Sequence, residues 1–408
     1  MRKILFLLLF GGITAASFFG ARFLISGNTF EIMGRGGAEK DERKEGTAIA
    51  AKRALKETPP QKPLEDPPKI IRAVYLTAWS AGSSKAIDAV ITRAKDSEIN
   101  AVIIDIKDHT GIISYETDIQ EINEIGAWES RIKDVNGVIK KLHEAGIYVI
   151  ARITVFQDPV LSKHRPDLAI HDTRKISSST LVSADTRWLD NKKAGWLDPA
   201  ARPAWDYIIA IAKDASRRGF DELNFDYIRF PSDAEIEYTK FLTWNELTRR
   251  ESAIKDFFKY LRAALPDDVI SADIFGQTTV TYKNDMGIGQ IIEDSYENFD
   301  VVSPMLYPSH YVKEFLGLDN AAAHPYEVVK FSMDHAKNRL NAMGTSTSAT
   351  IRPWLQDFDL KGVAYTPEMV RAQIQATKDA MGTAYTGYYL WDPKNTYTWE
   401  ALKRETVQ

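Results

Sequence analysis

The residues most able to do chemistry lie in segment 222–233, which reads ELNFDYIRFPSD. This apolar stretch carries Asp226 and Arg229 before Pro231 ends it. An unpaired carboxylate in an apolar strand costs on the order of several kcal/mol, so Asp226 is predicted to occupy a salt bridge or a solvent-filled site. At the C-terminal end of a barrel strand, the solvent-filled site is typical of a catalytic residue.

A second carboxylate, Asp273, lies in the next predicted strand, VISADIFG at residues 269–276. Cleavage of a glycosidic bond needs two carboxyl groups, one neutral as an acid and one ionised as a nucleophile or base. Neighbouring strands lie ~4.8 Å apart, so Asp226 and Asp273 at matching heights would approach the ~5–5.5 Å separation of retaining enzymes. We predict this pair as the catalytic residues, with Arg152 or Arg229 keeping one of them ionised.

Polar and aromatic side chains also collect in the C-terminal halves of the other predicted strands. Asp105 and Lys107 share one face of their strand by the two-residue period. Trp354 and Trp391 could offer apolar ring faces to sugars. A barrel that needed only stability would carry branched apolar side chains at these positions. The predicted substrate-binding residues are Asp105, Lys107, Arg152, Arg229, Tyr307, Trp354, Gln356, Trp391 and Asp392.

The sequence lacks the motifs of several other catalytic and binding chemistries. The chain has no cysteine, which excludes disulfides, thiolate zinc sites and a cysteine nucleophile. Its seven histidines form no metal-binding pair of the His-x-His or His-Glu-x-x-His kind, and there is no P-loop or Gly-x-Ser-x-Gly turn. A formal net charge of −4 leaves no basic footprint for nucleic acid. We therefore expect no metal, no cofactor and no nucleic-acid partner, with a loop-bound Ca²⁺ as the one alternative left open.

From residue 70 onward, short apolar runs rich in Val, Ile and Tyr alternate with amphipathic stretches. This alternation predicts an α/β fold of repeated βα units around a parallel sheet. Eight strands over about 330 residues fit a (β/α)8 TIM barrel with long loop insertions at 157–202 and 309–348. A doubly wound sheet is the alternative, but the glycine-rich turn expected after its first strand is missing. The predicted strands are 71–79, 101–108, 148–156, 222–230, 269–276, 301–308, 349–356 and 387–393, and predicted helices include 84–97, 132–145, 203–218, 238–264 and 367–381.

The N-terminus has the pattern of a targeting or anchoring segment. Arg2 and Lys3 precede a mainly apolar run that extends to residue 25, as in a signal peptide or a membrane anchor. We predict that residues 1–26 form this apolar helix and that 27–69, rich in Gly, Pro and charge, form a flexible, disordered linker. Residues 70–408 form the barrel domain. The positive-inside rule then places the barrel outside the cytoplasm, either membrane-anchored or secreted.

Six motifs together resemble a known family. They are IRAVYLTA at 71–78, VIIDIKD at 102–108, ARI at 151–153, WLDP at 196–199, FDYIRFPS at 225–232 and SADIFG at 271–276. In this order they look like the putative glycosyl hydrolase domain family, a bacterial TIM-barrel group distantly similar to α-amylase-type glycosidases, over residues 69–392. The resemblance implies a glycosidase, and matching by strand implies that Asp226 is its nucleophile. Strand five carries Asp273 where the amylase pattern has a Glu as acid/base.

Sequence and resemblance together predict a glycoside hydrolase that cleaves O-glycosidic bonds of an envelope or extracellular polysaccharide, with Asp226 as nucleophile and Asp273 as acid/base. Its expected partners are that polysaccharide or oligosaccharide and, through the N-terminal segment, a membrane. The alternative is a non-catalytic carbohydrate-binding envelope protein on the same scaffold. In that case the pairs Asp226–Arg229 and Asp105–Lys107 would be only structural.

Overall fold

A computed structural model describes residues 58–177 and 182–404 of the chain. The predicted N-terminal apolar helix and residues 27–57 of the predicted linker lie outside the described residues. Among the described residues, no helix combines the length and the apolar character needed to cross a membrane. From Pro60 onward the described residues form one compact unit. The end of the linker segment contacts the barrel, because the Gln61 amide donates to the Arg218 carbonyl at 3.0 Å.

Short runs of Val, Ile and Leu form the barrel wall, because β-branched side chains suit strands that are buried on both faces. Each strand pairs in parallel with the next, and the seventh strand joins the sixth to the eighth. This closed ring confirms the (β/α)8 barrel and excludes the doubly wound sheet. Within residues 58–177 and 182–404 the barrel strands are β1 (Ile71–Leu76), β2 (Ala101–Lys107), β3 (Tyr148–Thr154), β4 (Glu222–Asp226), β5 (Ile270–Phe275), β6 (Val301–Met305), β7 (Thr350–Ile351 with Trp354–Gln356) and β8 (Gly387–Trp391).

Helices connect the strands, and several begin at a side-chain cap. The Asp134 side chain accepts a hydrogen bond from the Gly137 amide. The Thr366 side chain accepts one from the Met369 amide, and the helix that it caps begins at Pro367. Such caps satisfy amides that the first helical turn leaves unpaired. In the described part of the chain the helices are α1 (Ala78–Ala81), α2 (Ser84–Lys95), α3 (Gln120–Glu124), α4 (Val135–Glu144), α5 (Pro159–His164), α6 (Arg202–Arg218), α7 (Arg250–Ala264), α8 (Ile292–Asn298), α9 (Pro325–Ala342) and α10 (Pro367–Met381).

The two-residue alternation along the strands separates two hydrophobic cores. Val74 and Ile104 belong to the larger core, which packs between the barrel wall and the helices. Ala73 and Ile103, on the opposite faces of the same strands, belong to the core inside the barrel. Burial of one of the larger apolar side chains contributes about 1.5–3 kcal/mol to the stability of the fold. Apolar side chains therefore fill the middle of the barrel, and polar groups are confined to its two ends.

Several predicted elements are shorter or more broken than the sequence pattern indicates, and three of them show the physical reason. Strand β4 stops at Asp226 instead of residue 230, because Tyr227 has a φ of 55° and this left-handed conformation does not continue a strand. Pro353 lacks an N–H donor and separates the two halves of β7. The predicted helix 238–264 begins only at Arg250, and Thr239–Lys240 instead pairs with another loop.

A buried ion pair connects β4 with the later strands at the base of the barrel. Arg352 Nη1 lies 2.9 Å from Glu222 Oε2, and both side chains are almost fully buried. The Tyr389 hydroxyl donates to Glu222 Oε1 at 2.5 Å and accepts from Arg352 Nη1 at 2.7 Å. Since Glu222 begins β4, this network lies at the end of the strand opposite to Asp226. Its role is structural, and removal of either charge would leave the other one uncompensated.

We expect Glu222→Gln to lower the free energy of unfolding by about 3–5 kcal/mol, because Arg352 would stay buried without a counter-ion. The matched control is Glu144→Gln, which breaks the exposed Lys140–Glu144 pair on α4 and should change the free energy by less than about 0.5 kcal/mol. Urea denaturation measures both variants. Equally small losses for the two would contradict the stabilising role of the Glu222–Arg352 pair.

Candidate active site

The candidate site is built around one guanidinium at the C-terminal mouth of the barrel. Arg152 on β3 stands between β2 and β4, in register with Asp105 and Asn224 on those strands. Its Nη1 donates to Asp105 Oδ1 at 2.5 Å, and its Nη2 forms an ion pair with Asp226 Oδ2. Its Nε lies 3.7 Å from Asp273 Oδ2. One cation therefore brings together three of the carboxylates that the sequence singled out.

Asp226 is held at the mouth by a backbone turn as well as by Arg152. The Tyr227 amide donates to Asp226 Oδ1 at 2.5 Å, while φ at Tyr227 is 55°. A left-handed tyrosine is strained, and such strain is concentrated at functional sites. Because one carboxylate oxygen is held by the backbone and the other by a guanidinium, the Asp226 carboxylate has a fixed orientation.

Asp273 is the most deeply buried carboxyl group of the cluster, with 1% of the residue exposed. Its Oδ1 accepts from Asn224 Nδ2 at 2.8 Å and from Trp354 Nε1 at 2.7 Å. Its Oδ2 has no hydrogen-bond partner among the described residues. Burial raises the pKa of Asp273 well above its usual range, the charge of Asp226 raises it further, and Arg152 opposes both. Since Oδ1 already accepts two hydrogen bonds, Oδ2 is the oxygen available to carry a proton.

Tyr75, which the sequence argument missed, orients Asp105. Its hydroxyl donates to Asp105 Oδ2 at 2.5 Å, while Arg152 occupies the other oxygen. Burial raises the pKa of Asp105, and Arg152 counteracts it. Both oxygens are thus occupied by protein donors, so Asp105 fixes the position of Arg152. The alternation along β1 places Tyr75 on the same inner face as Ala73, and this signal could have revealed it.

Lys107 does not join the cluster. A β-bulge shifts the β2–β3 register between Asp105 and Lys107, so Lys107 is paired with Ile153, a residue of the outer core. Its Nζ lies 3.0 Å from Asp158 Oδ2 and donates to the Thr154 carbonyl at 2.7 Å. The shared face predicted for Asp105 and Lys107 is wrong, because the two-residue period does not continue through a bulge.

Arg229 lies in the loop after β4, because the strand ends before it. Its guanidinium lies over the rings of Trp196, Tyr227 and Phe275, at 4.9, 5.2 and 4.7 Å from their centroids. Among the described residues its hydrogen bonds go to a carbonyl and a hydroxyl, and none goes to a carboxylate. Of the two arginines predicted to pair with a catalytic carboxylate, only Arg152 does so.

Aromatic side chains form the opposite side of the mouth. The Tyr307 and Trp391 rings are 5.1 Å apart, and Phe358 and His310 pack against both. Burial lowers the pKa of His310 to about 4, so this ring is uncharged at neutral pH. Trp391 is only partly buried and can offer a ring face to a sugar. Sequence reasoning missed Phe358, because the loops that follow β6 and β7 meet only in the folded barrel.

Three other predicted substrate-binding residues form hydrogen bonds to other residues of the protein. Trp354 is buried, and its indole N–H rather than its ring face serves the site through Asp273. Gln356 is fully buried and accepts from the Ser309 hydroxyl at 2.8 Å. Asp392 accepts from the Lys394 amide at 2.5 Å, and burial raises its pKa. In the described part of the chain, no three His, Cys, Asp or Glu side chains are grouped to hold a metal ion.

The fold and the site place this chain in one class of protein. It is a (β/α)8 barrel whose C-terminal mouth carries paired carboxyl groups around one arginine. A family model described as "Putative glycosyl hydrolase domain" matches residues 73–397. The chain belongs to this family, as the sequence motifs predicted. A comparison with curated proteins finds no match.

Solved structures similar to this chain include glycoside hydrolases. The glycoside hydrolase domain of PgaB (BpsB) from Bordetella bronchiseptica is 16% identical, with a TM-score of 0.54 over 83% of this chain and 100% of that chain. At that identity the likeness shows the fold alone. A hypothetical protein from Ruminiclostridium thermocellum is 40% identical over 49% of this chain and 96% of that chain, with a TM-score of 0.44. The α-galactosidase TtGalA from Thermus thermophilus is 15% identical over 87% of this chain and 63% of that chain, with a TM-score of 0.49.

We expect Asp273→Asn to remove a pH dependence of stability. The raised pKa means that folded protein keeps a proton that the unfolded chain releases above its ordinary pKa of 3.8. The wild type therefore loses stability relative to the variant as pH rises from 5 to 7, by up to about 1.4 kcal/mol per pH unit. Urea denaturation at the two pH values measures the difference.

The control for this prediction is Asp172→Asn. A side-chain hydrogen bond from Arg174 lowers the pKa of Asp172, so this carboxylate is ionised in both folded and unfolded chains above pH 5. The stability difference between wild type and Asp172→Asn should therefore be the same at pH 5 and pH 7. A flat difference for Asp273→Asn as well would contradict the protonated state of Asp273.

Proposed function

We propose that this protein is a glycoside hydrolase that cleaves O-glycosidic bonds in a polysaccharide of the cell envelope or extracellular space. The observation that carries the proposal is the pair Asp226 and Asp273 around Arg152. Asp226 forms an ion pair with the guanidinium, whereas Asp273 is buried with a raised pKa. Glycoside cleavage needs this combination of an ionised and a protonated carboxyl group. The family to which the chain belongs supports the reaction class.

In this proposal Asp226 is the nucleophile and Asp273 is the acid/base. Asp226 is the more exposed of the two, at 6% against 1%, and would attack the anomeric carbon. Asp273 would protonate the leaving oxygen through Oδ2. Once Asp273 has lost its proton, Arg152, whose Nε is 3.7 Å away, would stabilise the new negative charge. Asp273 then recovers a proton from the water that hydrolyses the glycosyl-enzyme ester.

Some of the remaining predicted site residues are proposed to contact the sugar, and the others to hold the site in shape. The partly exposed Trp391 and its neighbour Tyr307 are proposed to stack on a sugar ring, because aromatic faces suit the apolar faces of pyranoses. Asp105, Trp354 and Asp392 would orient the groups around them. Lys107 and Gln356, both fully buried, would stabilise the loops of the mouth.

The cellular location of this activity is proposed from the N-terminal sequence. The basic residues followed by a long apolar run support export or membrane anchoring, with the barrel outside the cytoplasm. Polysaccharides of the envelope or the surroundings are then the substrates within reach.

A carbohydrate-binding protein without catalytic activity is the second candidate. The near-complete burial of Asp273 favours it, because an acid must reach the glycosidic oxygen. A sugar would have to enter between Arg152 and Asp273 for proton transfer. Catalytic hydrogen bonds are often long in the unliganded state and shorten only in the complex, so the burial of Asp273 is also compatible with catalysis.

We expect Asp226→Ala to reduce turnover of activated aryl glycosides by at least about 10³-fold, because it removes the nucleophile. Sodium azide should restore part of the rate and yield a glycosyl azide, since azide fits the space left by the carboxylate. Asp319→Ala, at an exposed loop position, is the control and should keep wild-type turnover. If the wild type binds oligosaccharides but turns over none, the binding protein replaces the hydrolase.

The stereochemistry of the reaction gives a separate test. A covalent glycosyl-enzyme on Asp226 requires two displacements, so the first-formed product should keep the anomeric configuration of the substrate. Proton NMR of the reaction mixture in its first minutes measures this configuration before mutarotation. An inverted product would contradict the nucleophilic role of Asp226.

A further inference from the structure

Arg229 is a buried cation beside the candidate site that has no counter-ion at ion-pair distance in the described part of the chain. Only 8% of the residue is exposed. Its Nη1 donates to the Phe230 carbonyl at 3.0 Å and to the Ser232 hydroxyl at 3.2 Å. These neutral acceptors do not compensate its charge. Burial lowers the pKa of Arg229, whereas more distant acids including Asp226 raise it.

The surroundings of Arg229 hold it in one position. The rings of Trp196, Tyr227 and Phe275 lie around the guanidinium. Trp196 is itself fixed, because its indole N–H donates to Asp190 at 3.0 Å. Asp190 also accepts from Gln157 and from two backbone amides, so its oxygens are already occupied. The aromatic rings cover the faces of the guanidinium but do not use its N–H groups.

One edge of the Arg229 guanidinium forms no hydrogen bond within the described residues. Both of its hydrogen bonds within the described residues come from Nη1, so Nε–H and Nη2–H make none there. These two parallel N–H groups match the two oxygens of a carboxylate. Arg229 lies near the proposed site of bond cleavage, because its guanidinium contacts the rings of Tyr227 and Phe275 and the charge of Asp226 acts on it. Asp226, Asp233 and Asp190 act on this charge, but within the described residues none of them forms an ion pair with it, so a bound carboxylate would be its first direct counter-ion.

We propose that the substrate is an acidic polysaccharide, and that Arg229 binds the carboxylate of a uronic-acid residue in the sugar chain. This inference rests on the proposed function of the same site and names its substrate class. The bound carboxylate would supply the missing counter-charge and would fix the sugar relative to Asp226. A neutral sugar would leave the cation uncompensated and should bind more weakly.

The test measures binding without turnover, in the full chain carrying Asp226→Asn. The probes are two matched pairs of p-nitrophenyl glycosides, glucuronide with glucoside and galacturonide with galactoside, each in both anomeric forms. Calorimetry or ligand-observed NMR gives the affinities. We expect at least one uronide to bind about tenfold or more tightly than its neutral partner, since charge-assisted, bidentate hydrogen bonds are strong. Equal affinities within every pair would overturn the proposal.

Two substitutions at Arg229 distinguish recognition by the two parallel N–H groups of the guanidinium from attraction by positive charge alone. Arg229→Gln should abolish the preference for the uronide, and Arg229→Lys should lose most of it, because an ammonium does not form the two parallel bonds. The control is Arg250→Gln, which removes an equal charge from a guanidinium that lies over Phe230 and Trp244 and should leave the preference unchanged. Thermal unfolding confirms that each variant is folded. A preference that survives Arg229→Gln would overturn the assignment.

Further outcomes separate this inference from the hydrolase proposal. A preference for uronides without turnover by the wild type supports the anion site and contradicts catalysis. Turnover of neutral glycosides without any preference supports catalysis and contradicts the anion site. Glucose 6-phosphate tests whether any anion suffices, and tighter binding of this ester than of the glucuronide would contradict recognition of a planar carboxylate.

Discussion

One buried guanidinium must serve three carboxyl groups, and this constraint shapes the mouth of the barrel. Arg152 contacts Asp105, Asp226 and Asp273, but it carries a single positive charge. Three ionised carboxylates around it would leave two uncompensated charges in a region that excludes most water, at a large cost in free energy. Retention of a proton on one carboxyl group reduces that cost. Asp273 is the group best placed to retain it, because it is the most buried and has one oxygen without a donor.

The barrel strands supply this arrangement with little local adjustment. Parallel register places Asp105, Arg152 and Asn224 side by side on β2, β3 and β4. Two irregularities then complete the site. The left-handed Tyr227 ends β4 and donates its amide to Asp226, and the bulge in β2 directs Lys107 to the outer layer. At the opposite end of the barrel the Glu222–Arg352 pair stabilises the wall, so the functions of the two ends are separate.

Sequence reasoning succeeded where a regular period controlled the structure. The order of the strands, the barrel and the bounds of α10 followed from apolar alternation and capping residues. It failed where one residue breaks the period: the bulge moved Lys107, and Tyr227 moved Arg229 from a strand to a loop. It also could not tell that Trp354 serves Asp273 through its N–H, because that contact joins strands that are distant in sequence. Positive φ at a tyrosine has no sequence signal comparable to a glycine in a turn.

The most direct test of this account is the protonation state of Asp273 in the folded protein at pH 7. Infrared difference spectroscopy between the wild type and Asp273→Asn measures it without knowledge of the substrate. The account predicts that the wild type shows the C=O stretching band of a protonated carboxylic acid and that the variant lacks it, because burial and Asp226 together raise the pKa of Asp273. Loss of carboxylate bands alone would show that Asp273 is ionised, and it would contradict the assignment of Asp273 as the acid.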